Sequence, residues 1–196
     1  MKRNAISIAI VLAIIGIFPL SASAQTDETV TTEGPVHRNI GLGFHNVTAP
    51  LGGRWWLEGQ KIGFDFGLGF GSTPAPSYDE NLTGWAVEVG VPIVVKNWDK
   101  VHVLFRPGFL YESQEVQMSN PPEPFATDDR TSFSLTAEIE AEVFIVNNFS
   151  VSASHGIGFF NVDPAGGGDS SSSFGTLGNN FSHIGFHVYF FGGKSN

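Results

Sequence analysis

The feature that most constrains the fold is a strict alternation of apolar and polar side chains that recurs along the chain. In residues 133–143 every odd position is apolar and every even position is polar, and residues 62–70, 85–95 and 183–190 alternate in the same way. A period of two residues is that of a β-strand with two unlike faces. No segment shows a convincing helical period, so the sequence predicts an all-β fold.

Eight strands are expected, near residues 37–45, 51–57, 61–71, 83–95, 100–117, 129–146, 149–162 and 180–191. The tight connections are 58–60, 96–99 and 147–148, and the long ones are 72–82, 118–128 and 163–179. The connection at 45–50 is the exception, because it is short where a long loop is expected. Alternating short turns and long loops are typical of outer-membrane barrels. The pattern predicts an eight-stranded antiparallel up-and-down transmembrane β-barrel with both termini on the short-turn, periplasmic side.

Composition indicates which face of the strands points inward. Charged residues make up 15% of the chain, whereas a soluble exterior carries roughly 25–35%. The face opposite the large apolar residues is mainly Gly, Ser, Thr and Ala, which suits the narrow interior of an eight-stranded barrel. The glycines expected inside are Gly41, Gly43, Gly63, Gly67, Gly69, Gly156, Gly158 and Gly185. The aromatic residues expected in the interfacial girdles are Trp55, Trp85, Trp98, Phe144, Phe149 and Phe181.

Two prolines fall inside predicted strands, where a missing N–H leaves the hydrogen-bond ladder incomplete. If the hairpin turns near Trp98, Pro92 and Pro107 lie on adjacent strands at similar depth, which suggests a shared bulge. The alternative is a soluble periplasmic β-sandwich binding protein, in which both prolines are edge residues and the apolar face is the core.

The N-terminus carries the pattern of an export signal. Lys2 and Arg3 precede an apolar stretch at 5–20, and Ala22-Ser23-Ala24 matches a signal-peptidase site. We therefore expect a signal peptide at 1–24, a disordered tail at 25–35, the barrel at 36–191 and a short C-terminal tail at 192–196. Removing the signal leaves eight Lys and Arg against nineteen Asp and Glu, a net charge of −11.

This composition excludes several classes of function. A net negative chain lacks the basic footprint of a nucleic-acid binder. The absence of cysteine from the sequence excludes disulfides, thiolate catalysis and cysteine-ligated metals.

Over essentially all of the mature region, the chain resembles the small outer-membrane β-barrel proteins of the OmpA/OmpX-like kind. The resemblance rests on the signal peptide, the eight strands, Gly53-Arg54-Trp55-Trp56-Leu57 before a tight turn, and the last strand at 186–191. Family members usually end on an aromatic residue that the assembly machinery recognises, whereas here five residues follow Phe191.

The resemblance implies insertion in the outer membrane of a Gram-negative bacterium, with no shared enzymatic activity and no cofactor. Roles in such a family range over envelope integrity, adhesion and lipid modification. The implied partners are outer-membrane lipid, lipopolysaccharide and the barrel assembly machinery.

If the apolar face points outward, a set of charged side chains is confined in the interior. Its members are Arg54, Asp65, Glu88, His102, Arg106, Glu112, Glu138, Glu140, Glu142, His183 and His187. Six acids face two arginines, and confined carboxylates need charge partners or hydration. We expect a filled, charge-bridged lumen in which Arg54 and Arg106 tie strands together, with a structural or surface-interaction role. The alternative is a narrow cation-binding or cation-conducting lumen, which the negative excess favours.

No catalytic, cofactor or metal site is predicted. His183 and His187 share a face, but four residues along a strand span ~13 Å, too far for one ion. Ser154 and His155 point to opposite faces of a strand and cannot form a dyad. The expected outer rim is acidic and could gather divalent cations or keep the loops solvated. Its residues are Asp79, Glu80, Glu123, Asp128, Asp129, Asp163 and Asp169.

Overall fold

The computed structural model describes residues 38–75, 81–118, 127–176 and 182–191. The predicted signal peptide at 1–24, the tail at 25–35 and the tail at 192–196 lie outside these ranges. Within them, no helix has the length and hydropathy needed to span a membrane. The strands are β1 (Arg38–Phe44), β2 (Leu51–Trp56), β3 (Gly63–Pro74), β4 (Asn81–Gly90), β5 (Ile93–Trp98), β6 (Val101–Gln117), β7 (Thr127–Val146), β8 (Phe149–Asp163), β9 (Ser171–Gly175) and β10 (Ser182–Phe191).

These strands form a closed antiparallel barrel with eight strand positions. β4 and β5 both pair with β6 and share one position, and β9 and β10 both pair with β8 and share another. The barrel closes where β10 pairs with β1. The predicted fold class of an eight-stranded all-β barrel is confirmed.

The loop predicted at 163–179 is wrong in one respect, because β9 lies inside it. Phe174 of β9 pairs with Phe159 and Ser172 pairs with Asn161, so the connection to β8 is reduced to 164–170. The serine-rich composition of β9 is that of a loop. Backbone pairing with a long neighbouring strand still holds it extended, since ladder hydrogen bonds do not require apolar side chains.

The predicted alternation of faces is confirmed along the strands. On β3, Gly63, Asp65 and Gly67 are buried, whereas Phe64 and Phe66 are 46% and 47% exposed. The exposed large apolar residues lie on the outer face of every barrel position. The inner face holds small and charged side chains, so the fold has the polarity of a barrel whose exterior is apolar.

The register around the barrel sets the tilt of the strands. A path of paired residues leaves β8 at Val151 and returns to it at Asn161, ten residues further along. A stagger of this size over eight positions corresponds to a tilt of about 40°. An eight-stranded barrel at this tilt has an interior just wide enough for side chains to fill.

Pro92 and Pro107 share one interruption of the ladder, but the predicted shared bulge is not there. Val91 N donates to Pro107 O at 3.0 Å, and Gly63 N donates to Pro92 O at 2.9 Å. The register is the same on both sides of the interruption. The extra residue is at Val95, where the pairing shifts between Val94 and Lys96.

The turn end of the interior is filled by apolar side chains. Trp56, Leu104, Phe144 and Tyr189 are at most 4% exposed and pack together, and we call them the turn-side apolar cluster. The girdle assignment of Phe144 is therefore wrong. Phe144 continues the inward face of β7 after Glu142, and the strand alternation outweighs the preference of aromatic residues for the interface.

Of the other predicted girdle residues, Trp55, Trp85 and Trp98 are exposed, with 53%, 45% and 54% of their surface accessible. Phe149 is intermediate, and Phe181 lies outside the described residues.

The hairpin of β1 and β2 is short, which leaves the wall incomplete on one side. β3 pairs with β2 up to Leu68, and β10 pairs with β1 from Phe186 onward. Among the described residues, 69–74 of β3 pair only with β4, and 182–185 of β10 pair only with β8. We call this opening between β3 and β10 the wall gap. Residues 45–50, which connect β1 to β2, turn inward below it, and we call them the plug segment.

Candidate functional site

The middle of the barrel interior is occupied by a network of ion pairs built on two arginines. Arg54 of β2 is 1% exposed and binds Asp65 through two hydrogen bonds, from Nε to Oδ1 at 2.7 Å and from Nη2 to Oδ2 at 2.9 Å. Its Nη2 also donates to Glu140 Oε2 at 2.9 Å, and its Nη1 lies 3.2 Å from Glu142 Oε2. One guanidinium thus holds three carboxylates from β3 and β7.

Arg106 of β6 makes the second half of the network. It is 2% exposed, and its Nε donates to Asp65 Oδ2 at 2.7 Å. Nη2 donates to Glu88 Oε1 at 2.6 Å, and Nη1 donates to Glu138 Oε1 at 3.3 Å. Asp65 joins the two arginines, so the network ties together β2, β3, β4, β6 and β7.

The predicted histidines border this network. His102 Nδ1 lies 4.0 Å from Glu142 Oε2, and His183 Nε2 lies 3.5 Å from Glu138 Oε1. His187 is 1% exposed, and within the described ranges neither ring nitrogen has a hydrogen-bond partner. No group of three His, Asp or Glu residues in the described chain could hold a metal ion.

Glu112 lies apart from the other predicted site residues. Ser132 Oγ donates to its Oε2 at 3.1 Å, on the loop side of the interior. The structure therefore brings ten of the eleven predicted residues into one region and places Glu112 above them.

Two residues that were not predicted from the sequence complete the network, His45 and Asn46 of the plug segment. His45 Nε2 lies 2.6 Å from Arg106 Nη2 and 3.2 Å from Glu88 Oε1. Asn46 Nδ2 donates to Glu88 Oε2. Asn46 Oδ1 accepts hydrogen bonds from the N–H groups of Thr48 and Ala49 at 2.9 and 2.7 Å, which fixes the turn. The signal available in the sequence was the anomalously short connection.

Three glycines form a cradle for the plug segment. A Cβ added to Gly69 would lie 2.0 Å from the carbonyl oxygen of Thr48, and one on Gly52 would lie 2.4 Å from His45 Cβ. A Cβ on Gly67 would lie 2.9 Å from Ala49 Cβ. These strands need glycine because the backbone of another segment takes the space that a side chain would fill.

On the turn side, the network is closed by the turn-side apolar cluster. Tyr189 Oη donates to Glu142 Oε1 at 2.7 Å, and Ser150 Oγ donates to the same oxygen at 2.6 Å. Trp56 packs beneath the Arg54 guanidinium, with 5.6 Å from Cζ to the ring centroid. The ion-pair network is therefore in direct contact with an apolar layer.

On the loop side, the plug segment forms the floor of a cavity of about 420 Å³. β3, β4, β6 and β7 supply its walls, and Phe160 of β8 lies on the far side. From the turn end upward, the interior thus contains the turn-side apolar cluster, the ion-pair network, the plug segment and the cavity.

Beyond the cavity, two acids hold the loop-side ends of the strands together. Thr83 N and Oγ1 donate to Glu115 Oε2 at 2.8 and 2.7 Å, and these hydrogen bonds lower the pKa of Glu115. Gly166 N donates to Asp128 Oδ2 at 2.6 Å and is the main cause of the lowered pKa of Asp128. Of the other predicted rim acids, Asp129, Asp163 and Asp169 are exposed, and Asp79, Glu80 and Glu123 lie outside the described residues.

Ser154 and His155 are separated by the strand, as their spacing predicts. Ser154 Oγ donates to Glu138 Oε2 at 2.7 Å inside the barrel. His155 is on the outer face, with its Nδ1 2.7 Å from Ser182 Oγ.

Comparisons with known proteins identify no family for this chain. No protein-family model matches the chain, and no curated protein matches it. Among solved structures, it is similar to a major outer membrane protein from Thermus thermophilus, with 14% sequence identity and a TM-score of 0.38. The similarity covers 77% of this chain and 96% of that one.

Proposed function

We propose that this chain is a non-enzymatic outer-membrane β-barrel protein of a Gram-negative bacterium, with a structural or surface-interaction role and a filled lumen. The observation that carries the proposal is the inverted polarity of the barrel. Large apolar side chains cover the outside, including Phe70 at 74%, Ile184 at 71% and Ile139 at 57% exposure. A water-facing surface rarely presents such a contiguous apolar area, whereas the hydrocarbon of a membrane covers it at no cost.

The contents of the interior support a structural role over transport. Arg54 and Arg106 are each paired with three carboxylates, and the plug segment and the turn-side apolar cluster lie above and below them. Removing one partner of a buried ion pair leaves an uncompensated charge and lowers the free energy of unfolding by about 3–5 kcal/mol. The network therefore fixes the relative positions of five strands and occupies the route that an ion would take.

The membrane assignment is tested by fractionation and gel mobility. We expect the protein in the outer-membrane fraction, with a different SDS-gel mobility before and after boiling, because a closed barrel resists unfolding by detergent. Recovery in the soluble periplasmic fraction with no mobility shift would instead support the β-sandwich alternative.

The filled-lumen assignment is tested by planar-bilayer conductance. We expect no steady current from the folded protein, and we expect Glu140→Gln to lower the unfolding temperature without creating one. A steady cation current that Glu140→Gln alters in selectivity would support the cation-conducting alternative. Adhesion to host or bacterial surfaces is a separate readout, to be compared between cells with and without the protein.

A further inference from the structure

The wall gap and the loop-side cavity lie on the same side of the barrel and form one feature. The cavity floor is the plug segment, and its walls include Gly69, Gly71 and Thr73 of β3. β1, β2 and β10 contribute no wall to it, and these are the strands whose pairing stops at the gap. Within the described chain, the cavity is therefore bordered on one side by the gap.

In the proposed membrane orientation, the gap opens at the depth of the hydrocarbon. Its two borders carry outward apolar residues, Phe70 on β3 and Ile184 on β10, which are 74% and 71% exposed. Backbone that is unpaired at this depth is tolerated only where it is buried in protein or lines a polar cavity. Among the described residues, the edge of β3 at 69–74 has no strand partner on this side and marks an entrance that is apolar outside and polar within.

The chemistry of the cavity matches a polar group rather than an acyl chain. Its walls include Thr48, Thr73 and Gln114, the charged residues Glu112 and Arg130, and Ser132, whose hydroxyl donates to Glu112. Arg130 is a cation in an acidic environment, because Glu115, Asp128, Asp129 and Asp163 belong to the same ends of β6, β7 and β8. A wholly anionic ligand is repelled by this rim, whereas a ligand with one negative and one positive group finds a partner for each.

We propose that the cavity binds the zwitterionic head group of a membrane phospholipid, which enters sideways through the wall gap while its acyl chains stay in the bilayer. Arg130 binds the phosphate, since a guanidinium forms charge-assisted hydrogen bonds to phosphate oxygens. Glu112, which accepts from the Ser132 hydroxyl, receives the ammonium group, and the hydroxyls of Thr48 and Thr73 take up the remaining hydrogen bonds. The volume of 420 Å³ lies within the range of small-ligand pockets, about 300–1,000 Å³. This inference rests on the proposed membrane insertion and adds a ligand to it.

The test is calorimetric titration of the folded, detergent-solubilised full chain with dihexanoyl phosphatidylethanolamine and, in parallel, dihexanoyl phosphatidylglycerol. We expect saturable one-to-one binding of the ethanolamine lipid, roughly tenfold tighter than of the glycerol lipid, because only the former satisfies Glu112. Arg130→Gln is expected to weaken both lipids. Glu112→Gln is expected to abolish the difference between them.

A matched pair of variants on β3 tests the location. No atom of the described residues lies within 4 Å of a Cβ added to Gly71, so Gly71→Phe is expected to fill the cavity without displacing them. We expect it to weaken binding of the ethanolamine lipid about tenfold or more. Leu68→Phe, which faces outward where β3 still pairs with β2, is expected to leave binding unchanged. Thr73→Trp is a second cavity-filling variant, used if Gly71→Phe does not fold.

The possible failures are distinguishable because each variant is also checked for heat-dependent gel mobility. A folded barrel that binds neither lipid, or that loses binding equally in Gly71→Phe and Leu68→Phe, overturns the head-group site and leaves the membrane assignment intact. Equal affinity for the two lipids in the unmodified chain overturns the zwitterionic preference. Protein that never shows the heat-dependent shift overturns both the membrane assignment and this inference.

Discussion

At the scale of single residues, Arg106 is the side chain on which the interior most depends. It binds Asp65, Glu88 and Glu138, so Arg106→Met leaves three buried carboxylates short of their partner. We expect a loss of about 3–5 kcal/mol in the free energy of unfolding, measured by urea titration of the refolded barrel. Lys100→Met in an exposed turn is the control and is expected to change it by less than ~0.5 kcal/mol. A similar small change for both would contradict the bridging role.

Two glycines on one face of β3 give a residue-scale test of the plug segment. A methyl group on Gly69 would collide with Thr48 O, whereas one on Gly71 meets no atom of the described chain within 4 Å. Gly69→Ala is therefore expected to destabilise the barrel by about 1–3 kcal/mol, since overpacking forces the backbone to shift. Gly71→Ala is expected to be neutral or slightly stabilising, because alanine restricts the unfolded chain. The measurement is the temperature at which the unboiled gel band disappears. Equal effects would mean that the segment does not occupy the interior.

At the scale of elements, one hydrogen bond connects the start of β7 to the connection between β8 and β9. The N–H of Gly166 donates to the Asp128 carboxylate, which lowers the pKa of Asp128. Because the pKa of Asp128 is lowered in the folded protein, this contact stabilises the folded state fully above the ordinary pKa of the carboxyl group. The stabilisation is lost as the pH falls through the lowered pKa.

We therefore expect Asp128→Asn to speed proteolysis at 164–170 at neutral pH without changing the gel mobility of the barrel. Asp169→Asn, in the same connection, is the control. Unchanged cleavage in Asp128→Asn would show that the hydrogen bond does not hold the connection.

At the scale of the whole molecule, the free-energy cost of a charged side chain on the outer face should depend on how deep in the membrane that residue lies. Ile139 and Ile145 of β7 are both 57% exposed, but Ile139 lies midway between Phe133 and the turn end, where Ile145 is found. In a membrane, Ile139→Arg is expected to cost about 2–4 kcal/mol and Ile145→Arg about 0–1 kcal/mol. Unfolding in lipid vesicles measures both. Equal, small costs would indicate a water-exposed surface.

Most of the architecture could be predicted from the sequence because a β-strand sorts its side chains by a local rule. The alternation in residues 133–143 determined which side chains share a face, and the low charge content determined that the apolar face is the outer one. The same rule placed Arg54, Asp65 and Glu140 inside the barrel. It also placed Phe144 inside, although the aromatic character of this residue favoured the interface.

Only the tertiary structure decided what depends on contacts between distant parts of the chain. Register around the barrel sets the pairing of Arg106 with Asp65 and Glu88. It also sets the position of His45 against Arg106 and Glu88, and the distance of Glu112 from that network. β9 could not be predicted from the sequence, because its serine residues are held in the extended conformation by pairing with β8. The wall gap could not be predicted either, because it arises from the shortness of β1 and β2 relative to the strands on either side. Alternation is a property of one strand, whereas register, plugging and closure belong to all eight positions together.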